Sequence, residues 1–104
     1  MKAEAAVFKA LADTTRRQIL FQLRDGELSA GEISSRFDIS GPSISRHLGI
    51  LKNADLVAER REGNRIIYRL QPESLAITVT NFVSTVCPVR IITTKQRGKK
   101  AATR

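Results

Sequence analysis

The stretch Ser40–Asn53, SGPSISRHLGILKN, constrains this chain more than any other. Ser40 offers a side-chain oxygen for a helix cap, and Gly41 and Pro42 suit a first turn, where proline's missing N–H has no helical partner to lose. Ile44, Leu48 and Leu51 then recur at i, i+4 and i+7, one narrow apolar stripe on a helix. At roughly 100° per residue, the opposite side carries Pro42, Ser45, Arg46, Gly49 and Asn53. A helix entering the DNA major groove needs such a face: little bulk, a positive charge near its front end, and donors within reach of base edges. The stretch reads as a recognition helix.

The preceding residues supply its companion. Ser29-Ala30-Gly31-Glu32 is a capping box, serine at the cap and glutamate three residues on. The short helix it starts is expected to turn Ile33 and Phe37 inward, and Asp38-Ile39-Ser40-Gly41 then breaks the chain. A capped helix, a tight turn and an amphipathic helix make a helix-turn-helix, a pattern that other helical hairpins share.

The residues that follow make it more specific. Leu56–Arg61 and Arg65–Leu70 are strand-like runs around the compact turn Glu62-Gly63-Asn64. Ile66, Tyr68 and Leu70 alternate inward, Arg65 and Arg69 outward, and the tip is expected to carry Arg60, Arg61, Asn64 and Arg65. A basic hairpin directly after a helix-turn-helix is a wing, placed to reach the DNA backbone or minor groove. The plainer alternative is a solvated hairpin whose charges only prevent edge pairing.

Upstream, Lys2–Ala12 reads as a helix with Val7, Phe8 and Leu11 on one side. Asp13 offers a cap for a second helix, Thr14–Arg24, which carries Ile19, Leu20 and Leu23 before Gly26 stops it. Arg16 and Arg17 stand in its first turn, where the helix dipole disfavours cations. Phosphate contact is one reading, and solvated surface charge is the simpler one. Downstream, Pro72 opens a last helix, about Glu73–Val86, with Leu75, Val79, Phe82, Val83 and Val86 on one face and Pro88 ending it. The domain already has a core, so this face has apolar surface to spare. Pairing with its copy in a second subunit, alongside Val7, Phe8 and Leu11, would present two recognition helices to a palindromic site. Docking on its own domain is the alternative. Residues 1–88 thus form one winged helix-turn-helix unit, mainly α with about five helices and a two-stranded wing, expected to be homodimeric. Residues 89–104 are expected to be a basic, flexible tail, in which only Ile91-Ile92-Thr93-Thr94 has strand propensity.

Charge supports a polyanionic partner. Eighteen Lys and Arg against ten Asp and Glu give a net charge of +8, unevenly spread: residues 1–40 carry six of each sign, while residues 71–104 carry six positive and one negative. Nucleic acid fits such a basic back half better than a membrane does. No apolar run approaches the ~20 residues of a membrane span, and MKAEAAVFKALAD lacks the parts of a signal peptide. The expected location is the cytoplasm. An enzyme is not indicated: there is no glycine-rich phosphate loop, and Cys87 and His47 lie in different elements.

Phe8-Lys9-Ala10-Leu11-Ala12-Asp13 with Thr15-Arg16-Arg17 and Ile19-Leu20, then Ser45-Arg46-His47-Leu48 with Ile50-Leu51, Asp55-Leu56-Val57, and Arg60-Arg61-Glu62-Gly63 with Tyr68-Arg69-Leu70, resemble the ArsR/SmtB family of bacterial winged-helix repressors. The resemblance runs from about residue 6 to 71. It implies a homodimer built from the first and last helices, bound to an inverted-repeat DNA operator in the bacterial nucleoid and repressing transcription. Thr14 replaces the proline common after that aspartate, a minor departure. Metal sensors of the family carry cysteines in an ELCVCDL-like motif, where this chain has Ser29 and Gly31 in Glu27-Leu28-Ser29-Ala30-Gly31-Glu32-Ile33. The other family site uses Asp, His and Glu in the last helix, and Leu75–Val86 contains none of them. His47 and Cys87 are the only soft ligands, and a metal wants three or four per site. The chain therefore resembles the metal-independent, SdpR-like autorepressor branch, and no cofactor is expected.

Cys87 invites a redox reading across a two-fold axis, but the thiol-sensing members of the family use a pair of cysteines per chain. A small buried hydrophobe is the simpler expectation. The DNA-facing set is then Ser40, Gly41, Pro42, Ser43, Ser45, Arg46 and His47 on the recognition helix, with Arg60, Arg61, Asn64 and Arg65 on the wing. Arg46 is the first choice for a base or phosphate contact. His47 lies about 60° from Ile44, at the margin of the buried stripe, so it either touches a phosphate or hydrogen-bonds within the domain. A thiol- or ligand-responsive repressor with an unknown small-molecule effector is one rival reading, and a winged helix serving as a protein-interaction module is another.

Overall fold

Short-range caps and turns set where each element begins and ends. The computed structural model describes residues 2–87. The expected stop at Pro88, the strand-prone run 91–94 and the basic tail 89–104 lie outside the described residues. Helix α1 spans Lys2–Leu11 and α2 spans Thr14–Gln22. Between them Asp13 is extended (φ −95°, ψ 131°), and its carboxylate accepts from the backbone N–H of Arg16 at 3.1 Å, satisfying one orphan donor of α2. A single 3₁₀ turn, Leu23–Asp25, follows, and Gly26 at φ 153° ends it in a conformation that L side chains rarely adopt.

The capping box forms as the spacing predicts. Ser29 Oγ accepts from the Glu32 N–H at 3.1 Å, and the Glu32 carboxylate accepts from the Ser29 N–H at 2.7 Å. Helix α3 is brief, Ala30–Ser34, so Phe37 falls beyond it in the turn, where it still packs against the core. Helix α4 spans Gly41–Asn53, with the Ser40 hydroxyl accepting from the Ser43 N–H at 3.3 Å. It ends in a Schellman arrangement. Asp55 N–H donates to Lys52 C=O at 2.9 Å and Leu56 N–H donates to Leu51 C=O at 3.0 Å, while Asp55 takes φ 60° in the seat glycine usually holds.

Ile44, Leu48 and Leu51 are 2%, 1% and 0% exposed, so the α4 stripe is fully interior. They join Ile19, Leu23, Ile33 and Leu56 in one core, each buried side chain worth roughly 1.5–3 kcal/mol. Strands β2 (Val57–Glu62) and β3 (Arg65–Leu70) form the expected hairpin, closed by Gly63-Asn64 with Gly63 at φ 61°, the positive value such a two-residue turn needs at its first position. A third strand, β1 (Leu28–Ser29), lies outside the two-stranded wing that the sequence predicts; it pairs antiparallel with β3, giving the order β1-β3-β2. Its addition explains a departure from simple alternation. Ile66, Tyr68 and Leu70 do face the core, but Ile67 is also buried, at 6%, on the other face between its register partners Ser29 and Arg60.

Helix α5 spans Pro72–Val86 and has no fully buried residue. It leans on α1 through Phe8 and Phe82, whose rings meet edge to face at 5.1 Å, and through Leu75, which packs against the core. Phe82 remains 46% exposed and Val86 62% exposed, and Val79 and Val83 are half-buried. Two expectations need correction here. Val7, assigned to a subunit contact, is 2% exposed within its own protomer, because α1 turns that residue under α2 and α4. Cys87, expected as a buried hydrophobe, caps the C-terminus of α5 and is exposed.

Candidate nucleic-acid interface

Helix α4 presents the outward face that its sequence spacing requires. Ser45 and Arg46 are exposed, as are Gly41, Pro42 and Ser40 at its front end, while Ser43 is half-buried beside the cap. Among the described residues Arg46 takes part in no ion pair, so its guanidinium is uncommitted. Ser40 Oγ, beyond its capping role, donates to Ser43 Oγ at 3.0 Å, which leaves the two hydroxyls as one small polar cluster at the helix front. Lys52, at the far end, is fastened to Glu59 of β2 at 2.6 Å. That bond raises the Lys52 ammonium's pKa above its ordinary value and ties the helix to the wing.

The wing sorts its four candidates. Arg60 sits two ladder pairs back from the turn, opposite Ile67, and is held by carboxylates: Glu27 at 2.6 Å and Glu62 at 2.8 Å. These bonds push its pKa further up, and Arg60's hydrogen bond holds the Glu27 carboxyl below the usual range. Arg60 is therefore a brace between β2 and the β1 approach. Arg65 has one looser ion pair, 3.5 Å to Glu32, and stays exposed. Arg61, on the sheet face that carries Glu59, and Asn64, in the turn, are exposed and, among the described residues, outside every ion pair. The wing's available donors are thus Arg61 and Asn64, with Arg65 within reach of release.

Arg17 is exposed, as a surface charge should be, and Arg16 is half-buried, but both also bond to the end of the neighbouring helix. Arg16 donates through Nε to Ala10 C=O at 2.8 Å and through Nη2 to Lys9 C=O at 3.1 Å, and Arg17 donates to Leu11 C=O at 2.6 Å. They cap the open carbonyls of α1, so the unfavourable dipole of their own helix is offset by the favourable end of its neighbour. Arg16 also reaches His47, whose side chain is 13% exposed, placing that ring on the inner margin of α4. Sequence spacing had no means of finding these bonds. The same is true of Ile77, 61% exposed on α5 across from the Leu75–Val86 stripe, and of Phe21, 60% exposed with the Arg24 guanidinium 4.3 Å above its ring.

A core drawn from α1 to α4, a helix-turn-helix and a braced wing form the setting for the comparisons with known proteins. The model of the bacterial regulatory protein arsR family matches residues 13–59, the whole of α2 through β2's start. The transcriptional repressor SdpR of Bacillus subtilis is 44% identical over 81 residues, covering 75% of this chain and 90% of that protein. The chain belongs to the arsR family. Among solved structures, an ArsR-like transcriptional regulator from Rhodococcus superposes with TM-score 0.70 at 29% identity, covering 98% of this chain and 90% of that one. The homodimeric winged helix-turn-helix DNA-binding domain of a possible ArsR-family regulator from Mycobacterium bovis superposes with TM-score 0.67 at 33% identity, covering 81% and 79%. This regulator is accordingly a winged helix-turn-helix DNA-binding protein of transcription control, and among its described residues no helix is long and apolar enough to cross a membrane.

The metal sites that the family resemblance brings to mind do not fit these residues. Ser29 and Glu32 spend their polar groups on each other in the capping box, Gly31 offers no donor, and among the described residues no three His, Cys, Asp or Glu side chains gather as a ligand set.

Proposed function

We propose that this regulator represses transcription as a homodimer bound to an inverted-repeat operator, without metal control. The observation that carries the reading is the outer face of α4: a helix fixed at both ends by its caps and by Lys52–Glu59, yet exposing an uncommitted Arg46 beside Ser45. In the major groove Arg46 is placed to read a guanine edge or to neutralise a phosphate, and Ser43 and Ser45 are short donors for either target. Arg61, Asn64 and Arg65 extend the contact along the adjacent backbone. The dimer is supported by α5, fifteen residues with none fully buried, whose Phe82 and Val86 need cover that the described residues do not give.

The test separates reading from charge. Arg46→Ala and Arg24→Ala remove equal charge, but Arg24 lies on the turn after α2, occupied with Asp25 and Phe21. Arg46→Ala should lower operator affinity and narrow the gap between operator and random DNA, while Arg24→Ala should leave both near wild type. Equal effects would mean that α4 contributes only diffuse charge.

A further inference from the structure

The recognition helix holds one ring that faces two ways, and the bonds behind it fix which nitrogen carries the proton. Arg16 has N–H donors in a rigid fork and no acceptor. Two corners of that fork are pinned by Ala10 and Lys9 carbonyls at the end of α1, at 2.8 and 3.1 Å. Its Nη1 lies 3.2 Å from His47 Nδ1. Because the guanidinium can only donate, a hydrogen bond there requires Nδ1 to be a bare acceptor. Asp13 Oδ2 stands 3.8 Å from the same nitrogen, which would instead favour a proton on Nδ1. That distance is too long for a hydrogen bond, and Oδ2 is already accepting from the Arg16 backbone at 3.1 Å. The closer, aligned partner is Arg16.

A neutral ring with a bare Nδ1 carries its proton on Nε2. Nε2 has no partner among the described residues, and no buried side-chain nitrogen or oxygen there lacks one, so on a side chain that is 13% exposed Nε2 keeps contact with solvent. We infer that Arg16 is a positioning residue for DNA binding: it locks His47 as the Nε2–H tautomer, so that the recognition helix presents a fixed, uncharged donor to a backbone phosphate. This rests on the DNA reading above and deepens it. Sequence alone posed an inward or an outward role for His47; the geometry assigns one to each nitrogen. A neutral donor aimed at a phosphate fixes register without releasing a counterion, and the same arginine joins it rigidly to α1, the helix on which α5 leans.

His47 is the only histidine in the chain, so a sample labelled with ¹⁵N-histidine gives one ring. At about pH 8, where histidine is ordinarily neutral, its long-range ¹H–¹⁵N correlations in the free protein should show Nε2 protonated and Nδ1 bare. Arg16→Met should admit the Nδ1–H form, which Asp13 then favours. Binding separates the two nitrogens. His47→Asn keeps an inward acceptor and loses the outward donor; His47→Gln keeps an outward amide N–H. His47→Asn should lose roughly tenfold or more in operator affinity, the scale of a hydrogen bond to a charged group, at unchanged salt dependence, and His47→Gln should recover part of it. Protonated Nδ1 in the free wild type overturns the tautomer lock. Wild-type affinity in His47→Asn, or a shallower salt slope in that variant, overturns the neutral phosphate contact. Should the wild-type chain show no preference for operator over random duplex, the underlying DNA reading fails, and the ring correlations still decide the tautomer.

Discussion

Gly49 stands ninth in the thirteen-residue α4, where glycine is a poor choice for the fold. In a helix interior it is roughly 0.8–1 kcal/mol less favourable than alanine. A Cβ built there meets nothing within 4 Å among the described residues, so no clash offsets the gain. Gly49→Ala should therefore stabilise the protein by about 0.5–1 kcal/mol, part of it through a less flexible unfolded chain. For a domain of this size that is a rise of roughly 4–8 °C in Tm per kcal/mol, measured by circular dichroism at matched protomer concentration, because dimerisation makes Tm concentration-dependent. The same methyl points from the outer side of α4, on the arc of Arg46 and Asn53. If DNA lies against that face, the added carbon should weaken operator binding, overpacking of a close contact costing roughly 1–3 kcal/mol. Fluorescence anisotropy with a labelled operator duplex reads this directly. The signature is opposed signs, a more stable protein that binds less well. A variant that is more stable and binds as before would mean that DNA does not approach Gly49, and loss of stability would refute the packing argument itself.

Other expectations follow from the same geometry. Val86→Glu places a charge on the exposed end of the α5 stripe, and sedimentation should show monomer with helix content retained; a persistent dimer would locate the interface elsewhere. The Glu32 carboxyl is held below its ordinary value of 4.5 chiefly by the Ser29 N–H and then by the Ser29 hydroxyl. A lowered folded pKa contributes stability that is present above about pH 4.5 and lost as pH falls through the folded value. The stability gap between wild type and Glu32→Gln should thus be open at neutral pH and close on acidification, and a gap independent of pH in urea titrations would contradict the charged capping box.

What the sequence made legible was local. The Ile44, Leu48 and Leu51 stripe, the Ser29–Glu32 box and the Gly63 turn each carry their physics within a few residues, and each stands where spacing put it. What it hid depended on distant partners. Strand β1 is two residues long and exists only because Leu28 and Ser29 meet Tyr68 and Ile67, so it has no period to detect. The place of Arg60 in the wing suggests a DNA contact, and spacing cannot show that Glu27, thirty-three residues away, is its ion-pair partner. Val7 and Phe8 share one side of α1, yet the packing of α2 and α4 buries the first and leaves the second for α5. The bonds of Arg16 to α1 and α4 are likewise tertiary, and without them His47 has no determined orientation.

The central claim is that the α4 face and the wing together read a DNA sequence. The direct measurement titrates wild-type protein into duplexes tiled across the region upstream of its own gene, with random duplex as control, at two salt concentrations. One tile should bind well above random DNA at both, with affinity for every duplex falling steeply as salt rises. Binding that shows no preference among duplexes at either salt would contradict the account and turn the winged helix toward a protein partner.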